Sequence, residues 1–506
     1  MKRIAKGELL SRIKLSRRRL SCKMYSYPGV FNQNSTWPGD WEGRCILALT
    51  SLYFAFNGYP EEQESVKAQL KEIVIHLKDH VNEDGYFGEL VNESYVNEQQ
   101  ISGNSWYLRG LIEYYQISGE EEILSLIKRI EERFLFKIAK FYATYPLDER
   151  ERGGVGGHLE ATPRDGWLTS SDVGCAFIML DAMSEAYYLL RDPHLKEILE
   201  SIIKIFLSID FVNLECQTHA TLSCARGILT FYRATGEKKY LSYAELIFSK
   251  YINDGMTKDY SNLNWFKRPD TWTEPCCIVD SFMLASQLFE ITGEKKYLVL
   301  FNRIYLNSFR MAQRSNGGAG CNTCLTESQT HVHGFIYEAF FCCTMRFPEG
   351  LRFAKKYSSS WKEGALLINL LFPQEIELCN GARVSIKGDI YQKKTAKLLF
   401  SNVKEGFKAS VYAPSTVPFE IKGAEASYND ERISFEVKED CEITIRFSPV
   451  VHLEDKLLFA GDMLLVKRFL YPDTIHYDHE GETFYYLVDY RRVKGKDKVL
   501  NLVQKL

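Results

Sequence analysis

Several features that would place a chain in a special class are missing from this sequence. It has no continuous apolar run of about 18 residues, which a membrane-spanning helix needs. Its 63 basic and 66 acidic side chains give a net charge of −3, so a nucleic-acid partner is not expected. The first residues, MKRIAKGELLSRIKLSRRRLSCK, are basic but lack the apolar stretch of a secretory signal. We therefore expect a cytoplasmic protein with no membrane partner.

Disulfides are also expected to be scarce. The 13 cysteines are an odd number, scattered over 506 residues, and without an export signal most should be thiols. A C-x-x-C motif at Cys321 and Cys324 could bind metal or be redox-active, but a structural or incidental role is the prediction, because the motif alone is a weak signal. Two vicinal pairs, Cys276–Cys277 and Cys342–Cys343, need a separate explanation. A vicinal disulfide is a poor one, because it is strained and needs an oxidising compartment.

A repeated motif predicts the architecture of the first two thirds of the chain. ATGEKKYL at 234–241 is repeated as ITGEKKYL at 291–298 and more loosely as ISGEEEIL at 117–124. A glycine that ends one helix, followed by acidic residues that open the next, predicts the tight turn of an αα-hairpin. Five such turns are predicted, near residues 58, 119, 192, 236 and 293. A sixth helix pair is predicted within GFIYEAFFCCTMRFPEGLRFAKKY, and six hairpins would close an (α/α)6 toroid.

The composition changes after about residue 360. Short alternating segments rich in β-branched residues, such as ARVSIKGDIYQ and CEITIRFS, predict an all-β sandwich. The predicted organisation is a basic N-terminal arm or amphipathic first helix over 1–28, a mainly α toroid over 29–358 and a β-sandwich domain over 359–506. The site is expected in the long loops opposite the tight turns, at 84–104, 142–172, 253–274 and 311–334.

Two of the cysteine segments have the composition of a metal site. TWTEPCCIVD supplies Glu274 and Cys276, and YEAFFCCTMRFPEG supplies Cys342 and Cys343. Zinc takes about four ligands of these types. Neighbouring helical residues point about 100° apart, so both members of the second pair can reach one metal only where the backbone is irregular, for example at a helix start. The alternative is two sets of buried thiols without metal.

The combination of Glu-x-Cys, a later Cys-Cys pair and a following arginine resembles the zinc-dependent cysteine glycosidases, the β-L-arabinofuranosidases of glycoside hydrolase family 127 and relatives. That family has an (α/α)6 barrel followed by β-sandwich modules. The resemblance implies that Glu274, Cys276, Cys342 and Cys343 bind zinc and that Cys342 is the nucleophile. It also implies a retaining enzyme that releases a furanosyl sugar, similar to β-L-arabinofuranose, from small glycosides.

The general acid/base is where the sequence departs from that family. The family has a glutamate in the loop before the zinc glutamate, but no glutamate lies between Asp254 and Asp270 here. Matching KDYSNLN to the family loop places Asp254 at this position, whereas counting back from Glu274 gives Lys258. Alternative carboxylates are Asp259, Asp40, Glu42 and Glu160.

Sugar-binding residues are also suggested. His219 in CQTHATLSCARG resembles a family histidine that lines the sugar pocket, although a hydrogen-bonded core histidine is the alternative. Trp272 in NLNWFKRPDTW could stack on a sugar. His158 lies in a glycine-rich segment expected to line the pocket, and His331 and His333 are expected to line it or to cap a helix.

The sequence therefore predicts a zinc-containing glycosidase that acts on a small carbohydrate or oligosaccharide. A homodimer is compatible with the sequence. Two other classes remain open: an (α/α)6 sugar epimerase or lyase, which would need a His or Tyr base rather than a thiolate, and a non-catalytic glycan-binding protein with a structural zinc.

Overall fold

A helical region and a β region follow one another, in the order that the sequence predicts. The computed structural model describes residues 1–33, 36–147, 158–160, 162–326, 331–468, 476–479, 482–486 and 499–502. Only the backbone is described at 331–337 and in the strands that follow residue 465. Within these residues no helix is long and apolar enough to cross a membrane.

The helices are, in chain order, α1 (Gly7–Leu20), α2 (Asp40–Ala55), α3 (Pro60–Val74), α4 (Glu98–Ser118), α5 (Glu121–Ile130), α6 (Phe136–Ile138), α7 (Met179–Leu190), α8 (Pro193–Ser208), α9 (Thr218–Thr235), α10 (Lys238–Asp254), α11 (Pro275–Thr292), α12 (Lys295–Ile304), α13 (Arg310–Ala312) and α14 (Cys343–Tyr357).

Six of these helices form a closed inner ring. In the order α2, α4, α7, α9, α11 and α14, each contacts the next, and α14 contacts α2. The helices α3, α5, α8, α10 and α12 follow the first five ring helices and pack outside them. The inner helices are buried on most sides, which explains why their sequences lack the single polar stripe of a surface helix. The predicted (α/α)6 toroid is confirmed.

The sixth helix pair differs from the prediction. His331–Glu338 forms a β-strand, so the segment GFIYEAFFCCTMRFPEGLRFAKKY supplies only one helix, α14. Its outer partner is α1, which packs against α14 and α2. The basic N-terminal segment is therefore a helix that completes the ring. The repeat motif could not indicate this pairing, because the two partners are some 320 residues apart in the sequence.

The tight turns lie where the sequence places them. Gly119, Gly236 and Gly293 end α4, α9 and α11 with φ of 63°, 75° and 72°. Only glycine adopts these left-handed angles at little cost, which is why the motif repeats it. Since each turn joins an inner helix to the outer helix that follows, the N-terminal ends of the first five inner helices lie at the opposite end of the ring. The start of α14 lies there too, because Cys343 contacts Cys276 at the start of α11.

The strands are β1 (Lys2–Ala5), β2 (Val96–Asn97), β3 (Trp167–Leu168), β4 (Gly320–Asn322), β5 (His331–Glu338), β6 (Ser359–Lys362), β7 (Ala365–Ile368), β8 (Gln374–Glu377), β9 (Arg383–Asp389), β10 (Thr395–Ser401), β11 (Phe407–Tyr412), β12 (Phe419–Lys422), β13 (Ala426–Asn429), β14 (Arg432–Val437), β15 (Cys441–Phe447), β16 (Val451–Glu454), β17 (Leu457–Ala460), β18 (Met463–Arg468), β19 (His476–His479), β20 (Glu482–Tyr486) and β21 (Val499–Leu502).

Two sheets form the β-sandwich. One has the order β1-β8-β9-β10-β15-β12 and the other β13-β14-β11-β7-β6. Phe400 of the first sheet packs against Phe407 and Phe435 of the second, with ring centres 6.0 and 6.3 Å apart. The alternating burial along β10 and β15 matches the alternation in their sequences. The predicted sandwich is confirmed.

Two connections join the β region to the toroid. Strand β1 pairs with β8 at the edge of the sandwich. A third sheet, of order β16-β17-β18-β21-β5-β4, pairs C-terminal strands with the β4–β5 hairpin that precedes α14. The predicted domain boundary falls between α14 and β6, but strand pairing crosses it at both places.

Charged side chains from five inner helices fill the axis of the ring. The carboxylate of Asp280 on α11 accepts hydrogen bonds from Arg226 on α9 at 2.7 Å and from Arg346 on α14 at 2.5 Å. The carboxylate of Glu349 on α14 accepts one from Arg109 on α4 at 2.8 Å. Asp181 on α7 pairs with Arg109 at 3.0 Å and completes the network. These side chains are buried, so each charge depends on its partners.

Candidate metal centre and substrate cavity

Four side chains that the sequence predicts as metal ligands come together. The carboxylate of Glu274 and the sulfurs of Cys276, Cys342 and Cys343 all lie within 4.8 Å of one another. The Cys343 sulfur is 3.4 Å from the sulfur of Cys276 and 3.4 Å from that of Cys342. None of these cysteines forms a disulfide. The convergence of two segments that are about 70 residues apart is confirmed.

Two helix starts place these four side chains. Glu274 is the N-cap residue of α11, with Pro275 at the first helical position and Cys276 in the first turn. Cys342 is the N-cap residue of α14, with φ −141° and ψ −69°, and Cys343 is its first residue. This irregular backbone lets two neighbouring residues approach one point. The positive ends of both helix dipoles favour negative charge on the cluster.

Cys342 differs from the rest of the cluster in its exposure. Glu274, Cys276 and Cys343 are buried, whereas Cys342 is partly exposed. It lines a cavity of about 560 Å3 at the N-terminal ends of the inner helices. The cavity therefore lies at the end of the ring where the sequence predicts the site. Glu274 and Cys343 also border it, but Cys342 is the most exposed of the four side chains.

The wall of this cavity combines aromatic and polar side chains. Trp265 and Trp272 pack edge to face on it, with ring centres 5.4 Å apart. The other aromatic residues on the wall are Trp37, Trp41, Phe340 and Phe341, and the polar ones include Asp40, Arg44, Asp172, Gln217, His219 and Asn264.

Three buried polar atoms on cavity-lining residues have no hydrogen-bond partner within the described part of the chain. They are Nε2 of His219, Oδ1 of Asn264 and Nε1 of Trp265. A buried polar atom left unpaired costs about 1–3 kcal/mol. Unpaired donors and acceptors grouped on one cavity wall are typical of a site whose ligand carries hydroxyl or similar groups.

Arg44 links the metal cluster to helix α2. Its Nη1 donates to the sulfur of Cys276 at 3.6 Å, and its Nε donates to both carboxylate oxygens of Asp40 at 2.8 and 2.9 Å. The guanidinium lies 4.0 Å from the ring centre of Trp106. Burial would lower the pKa of Arg44, but the Asp40 carboxylate outweighs it and holds that pKa above its usual value. A permanent positive charge therefore lies beside the sulfurs.

His219 has a fixed orientation and charge. Its Nδ1 lies 2.6 Å from Oδ2 of Asp280, and its ring stacks on Trp106 with centres 5.5 Å apart. Burial lowers the pKa of His219 to about 4, although Asp280 opposes this shift. The imidazole is therefore neutral near pH 7. Because Nδ1 donates to Asp280, Nε2 is left as an acceptor for a ligand hydroxyl.

The electrostatics of the cluster fit a bound cation. Burial raises the pKa of Glu274 to about 8, and the nearby Asp172 carboxylate adds to the rise. Burial also raises the pKa of the Cys276 thiol well above its usual value. Buried groups of like charge resist ionisation together, and a divalent ion among them reverses this.

The donor set is also of the right type for zinc. In a tetrahedral zinc–sulfur site with bonds of about 2.3 Å, sulfurs lie about 3.8 Å apart. The two sulfur–sulfur distances of 3.4 Å are close to that spacing. Three sulfurs and a carboxylate that meet at helix starts thus fit a structural or catalytic metal ion.

The predicted acid/base residues lie at different places. Asp254 is the last residue of α10 and is exposed, and it is not among the described residues that line the cavity. Asp259 is buried and accepts hydrogen bonds from Thr257 at 2.5 Å and Ser261 at 3.1 Å, so it stabilises its own turn. Asp40 lies on the cavity wall beside Arg44.

Of the other predicted site residues, some lie on the cavity wall and some lie away from it. Trp272 and His219 lie on the cavity wall. Glu42 is buried on α2, where burial raises its pKa to about 7, and it is not among the described lining residues. His158 is exposed and Glu160 half-buried, and neither is among those lining residues.

The two cysteines of the C-x-x-C motif point to different surroundings. Cys321 lines the cavity and its thiol contacts that of Cys343. The thiol of Cys324 donates instead to the carbonyl of Asn262 at 3.6 Å. His331 and His333 lie in β5, and their side chains are outside the described part of the structure.

Arg44, Asp280 and Asp172 are among the site residues that the sequence did not indicate. Arg44 follows Asp40 by four positions, a spacing that predicts an ion pair on a helix. Asp280 is a lone acid within the apolar run CCIVDSFMLA, which predicts a buried, paired carboxylate. Asp172 is the last residue of the loop 142–172, which was expected to form the site, but nothing in its local sequence distinguishes it from the other carboxylates of that loop.

The complete fold is similar to that of solved glycosidases. A GH127 β-arabinofuranosidase superposes with a TM-score of 0.69 at 11% identity, over 99% of this chain and 96% of that one. A GH127 β-L-arabinofuranosidase from Geobacillus stearothermophilus T6 gives 0.64 at 10% identity, over 99% and 94%. A structure described as a glycoside hydrolase gives 0.62 at 12% identity, over 98% and 92%.

These similarities confirm the predicted resemblance at the level of the fold, toroid and sandwich together. No protein-family model matches the sequence, and no curated protein matches it. The similarity of the fold therefore does not by itself assign a chemistry to this chain.

Proposed function

We propose that the protein is a retaining glycoside hydrolase that uses Cys342 as its nucleophile. The observation that carries the proposal is the exposure of Cys342: it lines the cavity, and of the four clustered side chains it is the one that is partly exposed rather than buried. A structural metal site would be expected to bury all of its sulfurs. The fold shared with GH127 β-arabinofuranosidases supports a furanosyl sugar of the β-L-arabinofuranose type, released from a small glycoside.

The metal proposed for the cluster is zinc, held by Glu274, Cys276, Cys342 and Cys343. When bound, zinc keeps cysteine sulfur deprotonated at neutral pH and fixes its position. The positive charge of Arg44 and the two helix N-termini assist by offsetting the negative charge of three thiolates and a carboxylate.

The residues of the chain account for each step of the reaction. The sulfur of Cys342 attacks the anomeric carbon, so that a carbon–sulfur bond forms as the glycosidic carbon–oxygen bond breaks. A carboxylic acid protonates the departing oxygen and then, as carboxylate, removes a proton from the water that displaces the sulfur. Two displacements at one carbon retain its configuration. The sugar would be held by stacking on Trp272 and by hydrogen bonds to His219 and Asn264.

Asp172 is our assignment for the proton donor. It is half-buried and lies on the cavity wall, and its carboxylate is close enough to Glu274 to raise the pKa of that residue. Asp40 also lies on the wall, but Arg44 engages both of its oxygens. Asp254, which the resemblance indicates, is exposed beyond the described lining of the cavity and serves as the comparison variant.

Hydrolysis of nitrophenyl furanosides and pyranosides tests the nucleophile. We expect wild-type protein to release nitrophenol from a furanoside, and Cys342→Ala to lose at least about 1,000-fold in kcat/KM. Cys277→Ala is the matched control, because Cys277 belongs to the other vicinal pair but not to the cluster. Retention of activity in Cys342→Ala would exclude the thiolate mechanism. An epimerase, a lyase or a non-catalytic binder would release no nitrophenol in the first place.

Leaving-group dependence tests the acid. Asp172→Asn should lose about 100–10,000-fold in kcat on alkyl glycosides but much less on dinitrophenyl glycosides, which need no protonation to depart. Asp254→Asn is expected to behave like wild type on both. The reverse pattern would move the role to Asp254.

A further inference from the structure

The turn that carries the two adjacent cysteines is short and irregular. It connects the end of β5 at Glu338 with the start of α14 at Cys343. The carbonyl of Ala339 accepts hydrogen bonds from the backbone of Cys342 at 3.4 Å and of Thr344 at 3.1 Å. The first of these is longer than an ordinary backbone hydrogen bond. Side-chain contacts from other elements therefore help to keep the two sulfurs in register with the ligands on α11.

Glu338 supplies the first of these contacts. Its carboxylate accepts a hydrogen bond from the hydroxyl of Thr344, in the first turn of α14, at 2.7 Å. It also accepts one from the side-chain amide of Asn316 at 2.6 Å, and Nε of Arg19 donates to both of its oxygens at 2.7 and 2.9 Å. One carboxylate thus ties helix α1 to the start of the cysteine helix.

The carboxylate of Glu338 packs tightly against Gly318. A methyl group added at Gly318 would lie 2.1 Å from Oε1 of Glu338. Any side chain at Gly318 would therefore displace the carboxylate. The glycine leaves room for the ion pair with Arg19.

Tyr25 supplies the second contact from the N-terminal segment. Its hydroxyl donates to the carbonyl of Phe340, inside the turn, at 2.8 Å. The Tyr25 ring is fully buried, stacks on Trp41 with centres 5.7 Å apart, and lies 5.1 Å from the guanidinium of Arg19. Trp41 in turn packs edge to face on Phe340 at 6.0 Å.

We infer that the N-terminal segment, residues 1–31, positions Cys342 and Cys343 for the metal through Glu338 and Tyr25. Arg19 fixes one side of the turn through Glu338, and Tyr25 fixes the other side through the Phe340 carbonyl. These are positioning residues that act through the backbone of the turn. The inference rests on the proposed metal centre for its consequence, but the positioning itself can be measured without metal.

Two variants remove one contact each. Tyr25→Phe deletes a single hydroxyl, with Tyr27→Phe as the matched control, since Tyr27 lies two residues away on the surface. Glu338→Gln removes the charge that Arg19 faces, with the exposed Glu377→Gln as its control. Arg19→Lys keeps the charge but loses the Nε–H that faces both oxygens of Glu338, and it serves if Glu338→Gln fails to fold.

Zinc release and amide exchange are the two readouts. After loading with zinc alone, we expect Tyr25→Phe and Glu338→Gln to release the ion to a colorimetric chelator about 10–100-fold faster than wild type, the range seen for groups that orient metal ligands. In metal-free protein, amide hydrogens of residues 339–346 should exchange faster in both variants and be unchanged in the controls.

The outcomes separate this inference from the proposed function. Exchange and release rates within twofold of wild type in folded Tyr25→Phe and Glu338→Gln would overturn it. Faster amide exchange in a protein that binds no zinc would support the positioning contacts and refute the metal centre. Normal zinc release and normal exchange together with active hydrolysis would support the enzyme and refute the positioning role.

Discussion

Asp280 tests how much the buried charges along the axis of the toroid contribute to the stability of the fold. Oδ1 of Asp280 accepts hydrogen bonds from Arg226 at 2.7 Å and Arg346 at 2.5 Å, and Oδ2 lies 2.6 Å from Nδ1 of His219. The residue is completely buried. Asp280→Asn keeps the shape but replaces one acceptor oxygen by an amide donor that faces other donors.

The expected loss follows from the partners that remain. Two buried guanidinium groups would lose a counter-ion, and the removal of one member of a buried ion pair costs about 3–5 kcal/mol. Asp270→Asn is the matched control, because Asp270 accepts from Arg268 at 2.7 Å but its side chain is 60% exposed. An exposed pair contributes about 0–1 kcal/mol.

Urea unfolding of metal-free protein, followed by tryptophan fluorescence and circular dichroism, measures both variants. Chelation removes the linkage between metal binding and stability, and coincident transitions would justify a single free energy of unfolding. We expect Asp280→Asn to lose at least 2 kcal/mol more than Asp270→Asn. A difference below 1 kcal/mol would refute the idea that Asp280 is the main counter-ion of the axis.

Three further predictions follow from single contacts. Burial lowers the pKa of His219 to about 4, so between pH 6.5 and 4 the unfolded chain binds a proton at this residue that the folded chain does not. The contribution of His219 to the free energy of unfolding is therefore complete above pH 6.5 and falls by about 2 kcal/mol between pH 7 and 5. Unfolding of His219→Gln should lack that decline, and an equal decline in the variant would contradict the prediction. Gly43→Ala places a methyl 2.1 Å from the backbone nitrogen of Tyr107, where α2 crosses α4. It should therefore lower the melting temperature far more than Gly119→Ala, which costs about 1 kcal/mol because of the left-handed backbone angle alone. Similar losses in the two variants would argue against this close crossing. Metal analysis should find one zinc per chain in wild type and none in Cys276→Ala, and a chelator should lower the melting temperature of wild type only; zinc retained in the variant would exclude this ligand set.

Local features of the sequence determined much of the fold. The glycine–acid motif that recurs near 119, 236 and 293 sets helix ends by its backbone angles, which depend on neighbouring residues alone. Alternation in β10 and β15 likewise reflects one buried face of each strand. Glu274, Cys276, Cys342 and Cys343 could be proposed as a metal set because their residue types suit zinc and their motif resembles that of the zinc-dependent cysteine glycosidases.

Only the tertiary structure decided which distant segments meet. The pairing of α1 with α14, the ion pair from Arg19 to Glu338, and the exposure of Cys342 beside buried Cys343 all depend on how the ring closes. The same holds for the carboxylates, since Asp172 reaches the cavity wall and Asp254 stays on the surface. Residue type and spacing fix local backbone geometry. The burial and the electrostatic environment of a side chain depend instead on contacts between elements that are far apart in the sequence, and the order of the elements does not show which of them meet.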